Sequence, residues 1–376
     1  MPAVQPLPAG TPDLAGGVLT IDLAALVANW RALAARLAPA ACAGVVKADA
    51  YGCGAAEAGR ALRAAGCTTF FVALPAEGRA LRAAVPDAAI YVLNGLPQGA
   101  AETFATARLR PVIGDLGELA EWEAFVARTG WSEGAALHLD TGMNRLGLRP
   151  EEARALALRP RGQPPVSLVM SHFACADEKD HPMTARQIAL FREVRALFPG
   201  VPASLANSAG VFLGPEAHFD LARPGYALYG GNPTPWTANP MRPVVRLDLR
   251  IIQARTVPPG ETVGYGARWT APATRRIAVV SAGYADGLLR AASARPGARV
   301  LGYAGGVACP LVGRISMDLA AFDVTDAPAD AVQRGDTIAL LSERFGVDDY
   351  AEAAGTIGYE VLTSLGRRYR RVHVGG

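Results

Sequence analysis

From Gly44 to Arg223 the chain alternates between short apolar runs and helical stretches rich in Ala, Leu, Arg and Glu, and this rhythm limits the fold more than any other feature. The runs are Gly44–Ala48, Thr68–Leu74, Ala89–Leu93, Arg110–Ile113, Ala136–Asp140, Val166–Ser171, Ala203–Ala206 and a short one near Phe219–Arg223. Between them, segments such as Ala55–Ala65 and Thr184–Leu197 read as helices. About eight such units in roughly 200 residues predict an α/β fold, an N-terminal (β/α)8 TIM-type barrel. An open, doubly wound sheet alternates in the same way and is the competing architecture. Around Asn232–Pro243 Pro and Gly rise and short alternating segments take over, at Val244–Ala254, Arg276–Ser281, Ala298–Tyr303, Ala308–Gly313 and Thr337–Leu341. They predict a mostly β C-terminal domain, closed by one helix over Asp348–Leu365. The 376 residues divide into a flexible N-terminal segment, 1–17, a barrel, 18–240, and the β domain, 241–376. Asp22 is placed to cap a helix whose apolar positions begin at Leu23.

Charge and cysteine content narrow the function. The net charge is +3, with the basic residues scattered apart from Arg367, Arg368, Arg370 and Arg371. That pattern offers no nucleic-acid footprint, and the terminal arginines are expected to pair with acidic neighbours. No stretch has the length and uniform hydrophobicity of a membrane span, so no membrane partner is expected. The five cysteines, Cys42, Cys53, Cys67, Cys175 and Cys309, contain no Cys-x-x-Cys pair. They fit a reduced protein better than a disulfide framework, and no metal is called for. Residues 1–17 lack the basic start and apolar core of a signal peptide, so a cytoplasmic location is expected.

In a barrel, reactive side chains gather at the carboxyl ends of the strands. Here those ends carry Lys47 and Tyr51, then His138 and Asp140, His172, Asn207 and Ser208, and finally Arg223 and Gly225. Lys47 ends a buried run and precedes small residues and glycines, so its amine should be partly desolvated and able to condense with an aldehyde. Asn207-Ser208-Ala209-Gly210 and Arg223-Pro224-Gly225-Tyr226 follow the last two strands, where barrels commonly bind phosphate. Each of these residues taken alone is as well explained by a cap or an ordinary turn. Gly52-Cys53-Gly54-Ala55-Ala56-Glu57, with Glu77 further on, resembles a dinucleotide fingerprint, but its third glycine is missing and Glu57 would oppose a pyrophosphate.

Val45-Val46-Lys47-Ala48-Asp49-Ala50-Tyr51-Gly52-Cys53-Gly54 closely resembles the cofactor-lysine signature of bacterial alanine racemases. The resemblance runs over nearly the whole chain. It takes in Asp140-Thr141-Gly142-Met143-Asn144-Arg145-Leu146-Gly147, Ser171-His172-Phe173-Ala174, Asn207-Ser208-Ala209-Gly210 and Arg223-Pro224-Gly225. It continues through Val263-Gly264-Tyr265-Gly266, Gly283-Tyr284-Ala285-Asp286-Gly287, Gly313-Arg314-Ile315-Ser316-Met317-Asp318 and Gly358-Tyr359-Glu360.

The resemblance implies a cytosolic homodimer that interconverts L- and D-alanine with pyridoxal 5'-phosphate (PLP), supplying or degrading D-alanine for peptidoglycan. Lys47 would hold PLP and act as one base, and Tyr265 of the partner subunit would be the other. His172 would orient that tyrosine or relay protons to it. Arg145 and the backbone N–H of the partner subunit's Met317 would bind the substrate carboxylate. Tyr51, Asn207, Ser208, Gly225, Tyr226 and Tyr359 would bind the cofactor, chiefly its phosphate. Arg223 would face the pyridine nitrogen, where most PLP enzymes place an acid. A permanently charged arginine leaves that nitrogen unprotonated, which weakens the ring as an electron sink and favours rapid reprotonation at Cα.

The sequence departs from the family at His138, where many members have a lysine that is carbamylated to position the equivalent of Arg145. Histidine forms no stable carbamate, so a neutral imidazole or a bound anion is expected there. A broader amino-acid or serine racemase, a PLP-carrying protein without turnover, and a barrel decarboxylase are the alternatives. Tyr265 on an added β domain speaks against the second, and Arg223 against the third.

Overall fold

The structure, a computed structural model, describes residues 14–131, 133–159, 166–295 and 297–376. The chain forms two compact units, one of residues 26–242 and one that joins the N-terminal residues through Ala25 to 243–376. Most of the N-terminal segment, residues 1–13, lies outside the described residues.

In the first unit seven strands pair in parallel and in chain order: Gly44–Val45, Thr69–Val72, Ala89–Val92, Arg110–Ile113, Ala135–His138, Val166–Met170 and Ala203–Ser204. An eighth, Leu221–Ala222, pairs in parallel with Ala41–Cys42, just ahead of the first. Asp220 N donates to Ala203 O at 3.0 Å, Arg223 N to Ala206 O at 2.8 Å and Val45 N to Pro224 O at 3.2 Å, so hydrogen bonds run right round the ring. An open doubly wound sheet has two free edges, and this ring has none. The barrel is the correct architecture. Phe71 and Tyr91 stack inside it on the side of Arg223, and fully buried side chains such as Phe70, Ile90, Ile113, Leu137, Val169 and Leu205 fill the core of the unit.

Most of the strands are shorter than the apolar runs suggest. Gly44–Val45 stops two residues before Lys47, and Ala203–Ser204 stops three before Asn207. The apolar character persists past the last rung because those residues still face the core while the chain turns to set polar groups on the rim. Local signals decide where helices begin and end. Asp22 accepts the Ala25 N–H at 2.8 Å at the start of Leu23–Leu37. Asp115 caps Leu116–Thr129, which ends at Gly130 with φ of 71°.

The second unit is built on eight strands in the order Arg275–Val280, Ala320–Asp323, Val307–Val312, Leu301–Ala304, Thr337–Leu341, Val245–Val257, Gly17–Asp22 and Arg370–Val374. Val245–Val257 also pairs back onto Arg275–Val280, closing six of them into a ring. Its register shifts near Leu247 and Ile251 give the long strand the bends it needs to serve both neighbours. Gly17–Asp22 joins this sheet, and Arg250 N donates to Gly16 O at 2.9 Å. The single closing helix is corrected to two, Val347–Ala354 and Gly358–Ser364. Gly355, at φ of 72°, ends the first. Two of the terminal arginines are committed internally. Arg368 donates to Asp286 and Asp318, and Arg371 to the carbonyls of Leu365 and Gly366.

Candidate active site

Lys47 opens the most unusual backbone in the barrel. Ala48, Asp49, Ala50 and Tyr51, none of them glycine, all lie at φ between 52° and 56°, a full left-handed turn. Each such residue costs about 1–2 kcal/mol relative to a right-handed conformation. The turn is closed by Ala50 N to Val46 O and Gly52 N to Ala48 O, both 2.9 Å. Asp49 Oδ1 accepts from Ala55 N at 2.8 Å and so occupies the start of helix Ala55–Ala64. Glu77 Oε1 accepts from Ala48 N at 2.7 Å, while its Oε2 takes Ala73 N at 2.7 Å and Leu74 N at 3.0 Å. These contacts dispose of the dinucleotide reading, since the helix start is already filled by a carboxylate and Glu77 is spent on backbone. Burial, then the charge of Arg145, lowers the Lys47 pKa; Glu77 opposes this and Arg223 adds to it.

Arg223 is buried and crosses the barrel mouth. Its guanidinium donates to Ser204 Oγ at 2.5 Å and to Ser171 O at 2.7 Å, and reaches His172 Nδ1 at 3.2 Å. None of these partners is acidic. Burial alone brings its pKa down to about 9, still well above neutrality. A ring nitrogen facing a guanidinium can only accept, so His172 Nδ1 is unprotonated and the imidazole proton sits on Nε2. Burial and then Arg223, Arg145, His138 and Lys47 hold the His172 pKa well below its ordinary value. The backbone of His172 is fixed by Gln187, whose Nε2 donates to His172 O at 2.8 Å and to Thr141 Oγ1 at 3.2 Å.

Four of the sequence-predicted cofactor residues, Asn207, Ser208, Gly225 and Tyr226, lie on the last two loops, and Tyr51 reaches Gly225 from the turn after the first strand. Ser208 Oγ accepts from Gly225 N at 3.0 Å and Ala227 N at 3.2 Å. A Cβ at Gly225 would lie 2.2 Å from Tyr51 Oη, so only glycine lets these loops meet. Tyr51 stacks on Tyr229 with centroids 4.7 Å apart, and Tyr229 in turn donates to Val45 O at 3.0 Å. Tyr226 is buried in the turn Tyr226–Tyr229. Asn207 differs from its neighbours in that its Oδ1 accepts Gly210 N at 2.9 Å and so braces the turn Ala209–Phe212.

Arg145 is exposed on a loop that Asp140 organises. Asp140 Oδ1 accepts from Gly142, Met143 and Asn144 N–H groups at 2.9, 3.0 and 3.2 Å. His138 stands beneath this loop and is buried. Burial, then the Arg223 charge, lowers its pKa to about 4, with Asp140 opposing and Arg145 adding. Among the described residues no hydrogen bond joins it to Arg145, so it is a neutral core group rather than a substitute strut. An unfolded histidine titrates near ~6.5, so the unfolded chain takes up the extra proton between pH 6.5 and 4 and stability rises with pH across that window. Between pH 7 and pH 5 this residue should cost about 2 kcal/mol, read by denaturant unfolding at the two pH values. His138→Gln should shrink the difference by that amount; an unchanged difference would mean the imidazole is protonated in the fold.

Tyr265, Met317 and Tyr359 belong to the other unit, and all three are exposed, at 72%, 54% and 39%. Tyr265 starts a short turn, Tyr265–Ala267, and Tyr359 sits in the first turn of Gly358–Ser364. Met317 is held through its carbonyl, which accepts Ala285 N at 2.9 Å. Beside it Asp318 shares Arg368 with the buried Asp286. On the connection that follows His172, Cys175, Glu178 and His181 bring their ligand atoms within 4.8 Å of one another. The His181 Nδ1 is occupied in capping Pro182–Arg195 through Met183 N at 3.1 Å.

Sequence reasoning weighs Glu77 for the wrong task and gives Gln187, Ser171 and Ser204 no role. A lone glutamine on the buried face of Pro182–Arg195 was the one available signal for Gln187. The serines looked like any small residues ending a strand.

The chain matches known proteins along almost its full length. Residues 21–233 match the family model described as alanine racemase, N-terminal domain, and residues 244–373 that described as alanine racemase, C-terminal domain. Alanine racemases of Methylobacterium sp. (strain 4-46) and Methylobacterium nodulans are each 55% identical over 96% of this chain, which spans 98% and 97% of theirs. The crystal structure of alanine racemase from Bartonella henselae with covalently bound pyridoxal phosphate superposes with a TM-score of 0.88 at 36% identity, covering 96% of this chain and all of that one. The chain belongs to the alanine racemase family.

Proposed function

We propose that the protein interconverts L- and D-alanine by a two-base mechanism, using PLP held on Lys47. The observation that carries this reading is one barrel rim that joins a desolvated Lys47 to a buried Arg223 whose partners are a hydroxyl, a carbonyl and an imidazole. The residues present fit the cofactor. The amine is biased toward its neutral form, the fixed Arg223 guanidinium would offer a pyridine nitrogen a donor, and the cradle of Ser208, Gly225 and Tyr51 has no room for a Cβ. Tyr226, Tyr359 and Asn207 complete the set assigned to the cofactor.

When bound, PLP supplies the electron withdrawal that makes the substrate Cα–H acidic. Lys47 then takes or gives a proton at Cα on one face, and Tyr265 of the partner subunit does so on the other. Two bases on opposite faces are what inversion requires, because one base tends to return the proton where it found it. His172, neutral and with its free proton on Nε2, orients the partner subunit's Tyr265. Arg145 and the partner subunit's Met317 N–H hold the carboxylate. Arg223 keeps the ring nitrogen unprotonated and so limits how long charge stays on the ring. The active unit is a homodimer with shared sites in the cytoplasm, and it supplies or degrades D-alanine for peptidoglycan.

The purified protein should form D-alanine from L-alanine, and faster after PLP is added. Borohydride treatment of the PLP-loaded protein should fix the cofactor on the peptide containing Lys47. A label on any other lysine would overturn the assignment.

A further inference from the structure

Lys47 is the last residue before the left-handed turn, so whatever holds that turn also aims the amine. The first N–H inside the turn belongs to Ala48, and it is taken by Glu77 Oε1 at 2.7 Å. The other oxygen of the same carboxylate takes Ala73 N and Leu74 N, just past the adjacent strand Thr69–Val72. One carboxylate therefore ties the residue after Lys47 to the end of the neighbouring strand. Ala48 and Ala50 have no side-chain polar group of their own to stabilise a conformation that L-residues avoid. The charge-assisted bond to Ala48 N offsets that strain more than a neutral bond would, and the two to Ala73 N and Leu74 N fix the carboxylate that makes it.

We propose that Glu77 is a positioning residue for Lys47, clamping the left-handed turn so that the amine is presented to the cofactor. Glu77 contributes charge as well as shape. The charged groups acting on the Lys47 amine are Arg145 and Arg223, both cationic, and Glu77, which alone is anionic. His172 also faces the amine and is neutral. Glu77 touches neither substrate nor cofactor in this scheme; it works through the backbone and through its field. The inference rests on the reading of Lys47 as the cofactor lysine.

Glu77→Gln tests it, since the amide keeps the size and one acceptor but loses the charge and sets an NH2 against backbone N–H groups. In the PLP-loaded enzyme the pH midpoint of the cofactor's visible absorbance should fall, because removing the anion disfavours the protonated lysine linkage. The dissociation constant for PLP should rise about tenfold or more. If the single variant is too unstable to load, Glu77→Gln/Ala48→Gly relieves the turn, as glycine adopts positive φ without strain, and the same two shifts are expected. A lower melting temperature with an unchanged pH midpoint and unchanged PLP affinity would reduce Glu77 to a structural cap and overturn the proposal. Borohydride labelling of the same samples separates the two ways of failing. A label absent from Lys47 refutes the cofactor assignment, whereas a label on Lys47 with both readouts unmoved refutes the clamp.

Discussion

Lys47→Ala and Tyr265→Ala homodimers should each lose nearly all racemase activity, by about 10⁴-fold for the lysine and about 10² to 10⁴-fold for the tyrosine. The lysine loss corresponds to about 5 kcal/mol of barrier. Co-expression makes the stronger statement. In the proposed shared site the lysine comes from one chain and the tyrosine from the other, so a mixed dimer would carry one site lacking both residues and one site with both intact. With random pairing about half the dimers are mixed, so about a quarter of all sites should recover. Purification through two different tags must first show that mixed dimers form. If they form and no activity returns, the partner subunit's Tyr265 is not part of the site.

Arg223→Glu should cost at least about 10³-fold in racemisation, or about 4 kcal/mol, and should open a side reaction. A glutamic acid facing the pyridine nitrogen can protonate it, so charge lingers on the ring and protonation away from Cα competes. Pyruvate should then form from alanine in stoichiometric rather than catalytic amount, its amino group passing to the cofactor, and the reacting variant should show a new absorption at longer wavelength. The substitution also leaves Ser171 O and the His172 Nδ1 without their donor, at a cost of about 1–3 kcal/mol for each buried acceptor, and folding must be checked first. A folded variant that racemises normally and makes no pyruvate would show that Arg223 does not govern the ring.

The barrel was legible because its strands follow one another in the chain, and each βα unit announces itself by local pattern. The dividing line falls where partners are distant. Gly17–Asp22 has a clear alternation of buried Leu19 and Ile21, yet its neighbours in the sheet are Val245–Val257 and Arg370–Val374, and nothing local points to them. The polar rim was readable in Lys47, His172, Ser208 and Arg223, since reactive side chains are rare types at the ends of apolar runs. The turn after Lys47 was not, because Ala-Asp-Ala-Tyr has no preference for left-handed backbone and the carboxylate that holds it lies 29 positions away. His138 was read as a departure at the site. Its burial makes it a neutral core histidine, and burial is set by the loop folded over it.

The discontinuous sheet sets a timetable for synthesis. Arg250 Nε reaches Ala15 O across 235 positions of chain, and the pairing of Gly17–Asp22 with Arg370–Val374 comes later still. At about 5–20 residues per second, a strand made at the outset waits on the order of 10–50 s for its first partner. The whole of residues 26–242 leaves the ribosome during that wait and can close its ring without it. Until then Gly17–Asp22 is an unpaired apolar edge on a nascent chain, a natural substrate for a chaperone and a point where crowding of polysomes would first cause misassembly. The order of translation thus makes the barrel the early-folding unit and the unit that contains Tyr265 the late one.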